Sequence, residues 1–120
     1  MRASAALRAA TVATALLAAS CASKKPATLY DWGEYQGSVY RMYVKPGEFL
    51  PDAEIHKLET QIEDARVHER KVPPGFYAYL AMLCESAGDA PGAAGYLRME
   101  KAAFPESGDF VDGMLARMTK

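Results

Sequence analysis

Two histidines, two cysteines and scattered carboxylates are the side chains of this sequence best suited to ligating a metal or starting a reaction. His56 and His68 stand twelve residues apart in what reads as one helix. At about 100° per residue they point roughly 120° apart, so that helix alone cannot bring both to one metal. No H-E-x-x-H segment or Cys/His cluster accompanies them. Cys84 closes an uncharged run from Gly75, where loss of hydration opposes a thiolate, and it reads as a packing residue. Glu59 and Glu63 share a helical face at i,i+4 with no pocket residue beside them, which reads as a solvated surface. "GDAPGAAG" lacks the spacing and the lysine of a phosphate loop. The expectation is no catalytic residue, no metal site, no cofactor and no enzymatic activity. One stretch could still bind: "LYDWGEYQGSVYRMY" (29–43) holds five of the twelve aromatics. Its rings could stack on a sugar, with Asp31 and Glu34 as the acid/base groups beside them.

The first twenty residues read as a leader. Arg2 and Arg8 precede an apolar run, Ala9 to Ala19, and small residues follow, the pattern of a secretory signal peptide. The uncharged run from Ala9 to Ser23 spans roughly 22 Å as a helix, short of a ~30 Å hydrocarbon core. It ends in "LLAASC", which resembles the lipobox of bacterial lipoproteins, although Ala18 stands where the strongest lipoboxes carry leucine. The resemblance implies a diacylglyceryl thioether and an N-acyl chain on Cys21, an anchor of more than one chain and therefore a stable one. Ala22 after the cysteine, rather than aspartate, implies the outer membrane, with the domain facing the periplasm. Residues 1–20 are thus expected to be a lipoprotein signal peptide, 21–28 the lipidated cysteine and a short tether, and 29–118 a helical repeat-like domain. Without the leader, 14 − 2 = 12 basic residues face 15 acidic ones, a net charge of −3. That balance gives no footprint for nucleic acid. With Cys21 acylated, Cys84 has no intramolecular partner, so a packed core must supply the stability.

The pattern predicts an all-α fold. Ile55, Leu58, Ile62 and Ala65 recur at helical spacing within Leu50 to Arg70, behind Pro51 and Asp52 as start signals. Glu54–Lys57 and Glu63–Arg66 read as i,i+3 surface pairs. "VPPG" ends that helix. In Gly75 to Asp89, Phe76, Leu80, Leu83 and Ala87 make one apolar face, and Tyr77, Ala81 and Cys84 a second, which predicts a helix packed from both sides. Asp89 reads as the N-cap of a helix running to Phe104 and stopped by Pro105. Gly92 and Gly95 cost about 1 kcal/mol each relative to alanine, offset on this reading by close approach to the preceding helix. A terminal helix carries Phe110, Val111, Met114, Leu115 and Met118, with Ser107 or Asp109 as its cap. In the aromatic stretch Trp32, Tyr35, Val39 and Met42 step at 3, 4 and 3, predicting a first helix whose Trp32 and Tyr35 pack on Ile55, Leu58 and Ile62. The architecture is therefore two antiparallel helical hairpins, about 31–70 and 74–105, with a C-terminal capping helix.

Residues 74–107 resemble a tetratricopeptide repeat: Tyr77, Leu80 and Ala81 in the first helix, Gly88 and Asp89 in the turn, Ala93 and Leu97 in the second, and Pro105 closing. Cys84 replaces the expected aromatic, and Glu100 stands where a small residue normally packs. The segments "YDWGEY", "VYRMYVKPGE", "VPPGFYAYLA" and "KAAFPESGDFVDGML", in that order, resemble the small Gram-negative lipoproteins of domain-of-unknown-function family 4810. The resemblance implies an envelope lipoprotein, often encoded beside a curli-secretion-type lipoprotein and a second small lipoprotein. The expected function is accordingly a protein–protein interaction or assembly module, with Tyr30, Trp32, Tyr35 and Tyr40 as candidate partner contacts and the membrane and envelope lipoproteins as partners. Activation of a cell-wall synthase is the alternative, with an aromatic glycan-binding module behind it.

Overall fold

The computed structural model describes residues 28–119; the expected leader, Cys21 and the expected tether up to residue 27 lie outside them. Five α-helices follow in order: α1 (Tyr35–Val44), α2 (Pro51–Val67), α3 (Phe76–Ser86), α4 (Ala90–Ala103) and α5 (Gly108–Met118). Short 3₁₀ turns, Pro46–Glu48 and Pro105–Ser107, precede α2 and α5, and no strand occurs among the described residues. The fold is all-α, as the periodicity predicts.

Each boundary has a local cause. Proline stands in the first turn of α2, with Asp52 and Glu54 facing the helix's positive end and Arg66 in its last turn. Pro73 and Pro74 prevent α2 from continuing into α3. Asp89 caps α4, its carboxylate accepting the Gly92 N–H at 2.9 Å, an interaction worth about 1 kcal/mol. Ser107 sits at the N-cap of α5 but does not cap it; its hydroxyl donates back to the Phe104 carbonyl.

α3 is the central element and is buried on both sides. Phe76, Tyr79, Leu80 and Leu83 join Leu58, Ala65 and Val72 in one cluster, while Ala81 and Cys84 join Ala93, Leu97 and Val111 in another. Full burial of a leucine or phenylalanine contributes about 1.5–3 kcal/mol, so these two clusters hold the domain together. The closest helix pair is α3 with α4, the hairpin expected at 74–105, and α2 and α5 pack on either side of it. α1 instead meets the core through large side chains, Tyr35, Val39 and Met42.

Two expectations need correction. The first helix starts at Tyr35, not at Asp31, because Gly33 at φ +24° turns the chain just before it. The two α4 glycines do not permit close helix approach either: a Cβ at Gly95 would meet nothing within 4 Å, and one at Gly92 would collide with the capping Asp89 carboxylate. Gly95 therefore carries the entropic cost of glycine with no compensating contact. Gly95→Ala is expected to raise unfolding stability by about 0.5–1 kcal/mol in urea titration.

Candidate functional site

The aromatic segment is fastened to the domain by one buried amide. Gln61, on α2, donates to the Asp31 carbonyl at 2.9 Å and accepts the Glu34 N–H at 2.9 Å. The Asp31 N–H donates to the Lys71 carbonyl at 2.7 Å, and the buried Asp31 carboxylate pairs with Arg70 at 3.0 Å. Gly33 lies under the Gln61 side chain, where a Cβ would come within 2.6 Å of it. Asp31 is thereby committed to holding the chain rather than to acid/base work.

The four candidate aromatics go to four different settings. Tyr30 is half-buried, edge-on to Phe104 at 6.1 Å. Trp32 does not join the core stripe. It lies ahead of α1, 40 % exposed, with its ring stacked on Tyr35 at 6.2 Å. The physical reason is the turn at Gly33, which takes Trp32 out of the helical register that its spacing implies. Tyr35 wedges between Phe76 at 5.4 Å and Tyr79 at 5.6 Å and packs on the buried cluster that also holds Leu58. Tyr40 points outward, 55 % exposed.

Beneath α1 runs a buried polar chain that the sequence did not announce. Arg41 donates twice to Glu54, at 3.0 and 2.7 Å, and Lys57 donates to the same carboxylate at 3.0 Å. Glu54 is only 2 % exposed, so the expected surface pair Glu54–Lys57 is in fact a buried carboxylate with one surface partner. The Arg41 bonds hold its carboxyl well down, from 4.5 to about 2, against the opposing effect of burial. Beside it the Ser38 and Tyr79 hydroxyls lie 3.0 Å apart, and burial raises the Tyr79 hydroxyl above its ordinary value.

Arg41 is the sole charge in α1; it is bound to the buried Glu54 at 2.7 Å and lies 3.6 Å from the exposed Glu34. What remains on the outer face is Gln36, Tyr40, Tyr43 (72 % exposed) and Val44, an uncharged aromatic stripe that ends at the exposed Lys45–Glu48 ion pair. A second feature lies toward the other end of α2. An open groove of about 600 Å³ has an apolar lining of Ile62, Ala65, Val72, Tyr77, Met99 and Phe104. Glu63, Arg66, Arg70 and Lys71 also line it.

Residues flagged for chemistry are dispersed. His56 and His68 are exposed, and the His68 ring bonds the Asp64 carbonyl at 2.8 Å. Glu59 accepts from the Tyr96 hydroxyl at 2.7 Å, while Glu63 pairs with Arg66 at 2.7 Å, so the two carboxylates serve separate partners. Among the described residues no group of three or more His, Cys, Asp or Glu side chains is placed to hold a metal. Cys84 is buried and free, and burial, followed by Asp89 and Glu59, pushes its thiol up. It is expected to resist a maleimide in the native protein and to react fully once the chain is unfolded in urea; a fast native reaction would place it at the surface.

Glu100 has an unexpected role. Its carboxylate is 2 % exposed and accepts the N–H groups of Gly75 at 2.7 Å, Tyr77 at 3.2 Å and Ala78 at 3.4 Å. It thus caps α3 from α4, where Gly75 offers no side chain of its own. The Glu100 charge, after burial, also raises the Tyr35 and Tyr77 hydroxyls. A charged residue at a repeat's small position was the available signal.

Residues 29–114 match the family described as a domain of unknown function, DUF4810. The chain belongs to that family. The match takes in the Gln61 clasp, the Glu54 network, the groove and Glu100, so the whole candidate region lies inside the family's domain. No curated protein and no solved structure matches the chain. No helix among the described residues is long and apolar enough to cross a membrane.

Proposed function

We propose that this DUF4810 protein is a lipid-anchored interaction module of the Gram-negative envelope. It is held at the outer membrane through Cys21, faces the periplasm, and presents the outer face of α1 to a protein partner. One observation carries the reading: the single charge of α1 is bound to Glu54 and Glu34, leaving Tyr40, Tyr43 and Val44 exposed with no free charge between them. Exposed tyrosines of this kind combine large apolar area with a hydroxyl that tolerates water, and they are enriched at protein interfaces. The finer assignment, assembly with a curli-secretion-type lipoprotein complex, follows from the family resemblance. The module has no catalytic role in this reading; its work is anchoring and docking.

The test is crosslinked pull-down of the full-length chain from outer membranes, wild type against Tyr40→Ser/Tyr43→Ser. Both side chains are exposed, so the double variant keeps its fold. Interface aromatics of this type each contribute about 2 kcal/mol or more, so partner recovery should fall at least about tenfold. Undiminished recovery removes α1 as the docking face. Recovery of an inner-membrane cell-wall synthase, with its rate altered in vitro, favours synthase activation instead.

A further inference from the structure

We infer that the groove between α2 and α4 is the face that meets the membrane and that it takes anionic phospholipid. The inference rests on the lipid anchor proposed above. The described chain leaves the domain beside this groove: the Tyr30 ring lies edge-on to Phe104, and Asp31 binds both the Lys71 carbonyl and the Arg70 guanidinium. Phe104, Lys71 and Arg70 all line the groove. From Cys21 to Thr28 is 28 − 21 = 7 residues, at most about 25 Å of chain. An acylated Cys21 therefore holds the groove within one short tether of the lipid surface, whereas Tyr43 and Val44 lie toward the opposite end of α2. That end-to-end arrangement follows from Arg41 pairing with Glu54 near the start of α2, while the groove uses Ile62 to Arg66 and the loop beyond.

The lining matches the occupant. Met99 and Phe104 offer apolar surface to acyl chain, and Arg66, Arg70 and Lys71 stand around it, balanced in part by Glu63, Asp31 and Asp64. Arg66 and Arg70 are already paired with carboxylates, but Lys71 has no carboxylate within ion-pair distance among the described residues. Lys71 is thus the group left to meet a lipid phosphate. Lys24 and Lys25 in the tether add to the attraction for an anionic surface.

The experiment uses the full acylated chain reconstituted into vesicles of phosphatidylcholine alone or of phosphatidylcholine with phosphatidylglycerol. Met99→Cys and, separately, Tyr43→Cys are labelled with a water-soluble maleimide; native Cys84 is buried. Labelling at position 99 should slow several-fold when phosphatidylglycerol is present, and labelling at position 43 should not change. Adding Lys71→Gln should restore labelling at 99 by about fivefold, the contribution of one cation near an anionic surface. Equal labelling at 99 in both vesicles, or equal slowing at 43, overturns the inference. So does protection of 99 that requires an added envelope protein and ignores lipid charge. Failure of the anchor reads separately, as chain lost from the vesicles in an alkaline wash, and labelling with vesicles added in excess then still decides the groove.

Discussion

Glu100→Ala is expected to cost about 3 kcal/mol of unfolding stability, the effect of removing charged hydrogen bonds from buried N–H groups. The carboxylate is almost fully buried and serves Gly75, Tyr77 and Ala78 at the start of α3. Without it those donors lose their partner in a site closed to water, and the central helix of both clusters loses its N-cap. For a domain of this size the midpoint of thermal unfolding should drop by roughly 10–20 °C. Glu100→Gln should fall between, since its amide keeps one acceptor oxygen but brings an N–H₂ against the same donors. Urea titrations with unchanged slope read the effect as stability rather than as altered compactness. A loss below about 0.5 kcal/mol, the range of ordinary surface changes, would mean that the cap is not formed in solution.

Acid is expected to destabilise the domain through Glu54. Its carboxyl titrates at about 2 in the fold against an ordinary 4.5. The difference corresponds to about 3 kcal/mol in favour of the folded state. Because the folded value is depressed, that stability is fully present above the unfolded value and is lost as pH falls from about 5 toward 2. Glu54→Gln should therefore lower stability at neutral pH and flatten the decline below pH 5. Arg41→Met leaves the buried carboxylate with Lys57 and the nearby Ser38 hydroxyl, and should cost about 3 kcal/mol at neutral pH, as breaking one side of a buried pair does. Urea unfolding of wild type and both variants at neutral and acid pH distinguishes this from a general acid effect: a variant curve parallel to wild type would contradict it.

Much of this molecule was legible before any coordinates. Ile55, Leu58, Ile62 and Ala65 mark α2 because periodicity directly records which face is buried, and Asp89 marks α4 because a capping carboxylate has a local signature. The two faces of α3 were readable for the same reason, although Tyr79 was missed: its hydroxyl needs Ser38, forty-one residues away, to be buried at no cost. Long-range polar contacts are invisible to spacing. Glu54 looked like half of a surface pair because its i,i+3 lysine is local, while Arg41, the partner that decides its burial, comes from another helix. Trp32 fitted the helical step, but one glycine with φ +24° ends the register between it and Tyr35. The groove could not be foreseen, since α2, the Val72 loop and α4 build it only by packing together.

The molecule has two ends. One, beside Tyr30 and Lys71, lies where the described chain begins; the other carries Tyr40, Tyr43 and Val44 on a helix whose only charge is bound to Glu54 and Glu34. A lipid-anchored docking module needs that second end to touch a protein in the envelope. The direct measurement is photo-crosslinking in cells, with a photoreactive amino acid placed at position 43 or at position 99 of the full-length chain. The account predicts a discrete protein adduct from position 43 that remains membrane-associated and disappears with Tyr40→Ser. Position 99 should give no such protein adduct. Crosslinking at 43 only to solvent, or the same protein adduct from both positions, would contradict it.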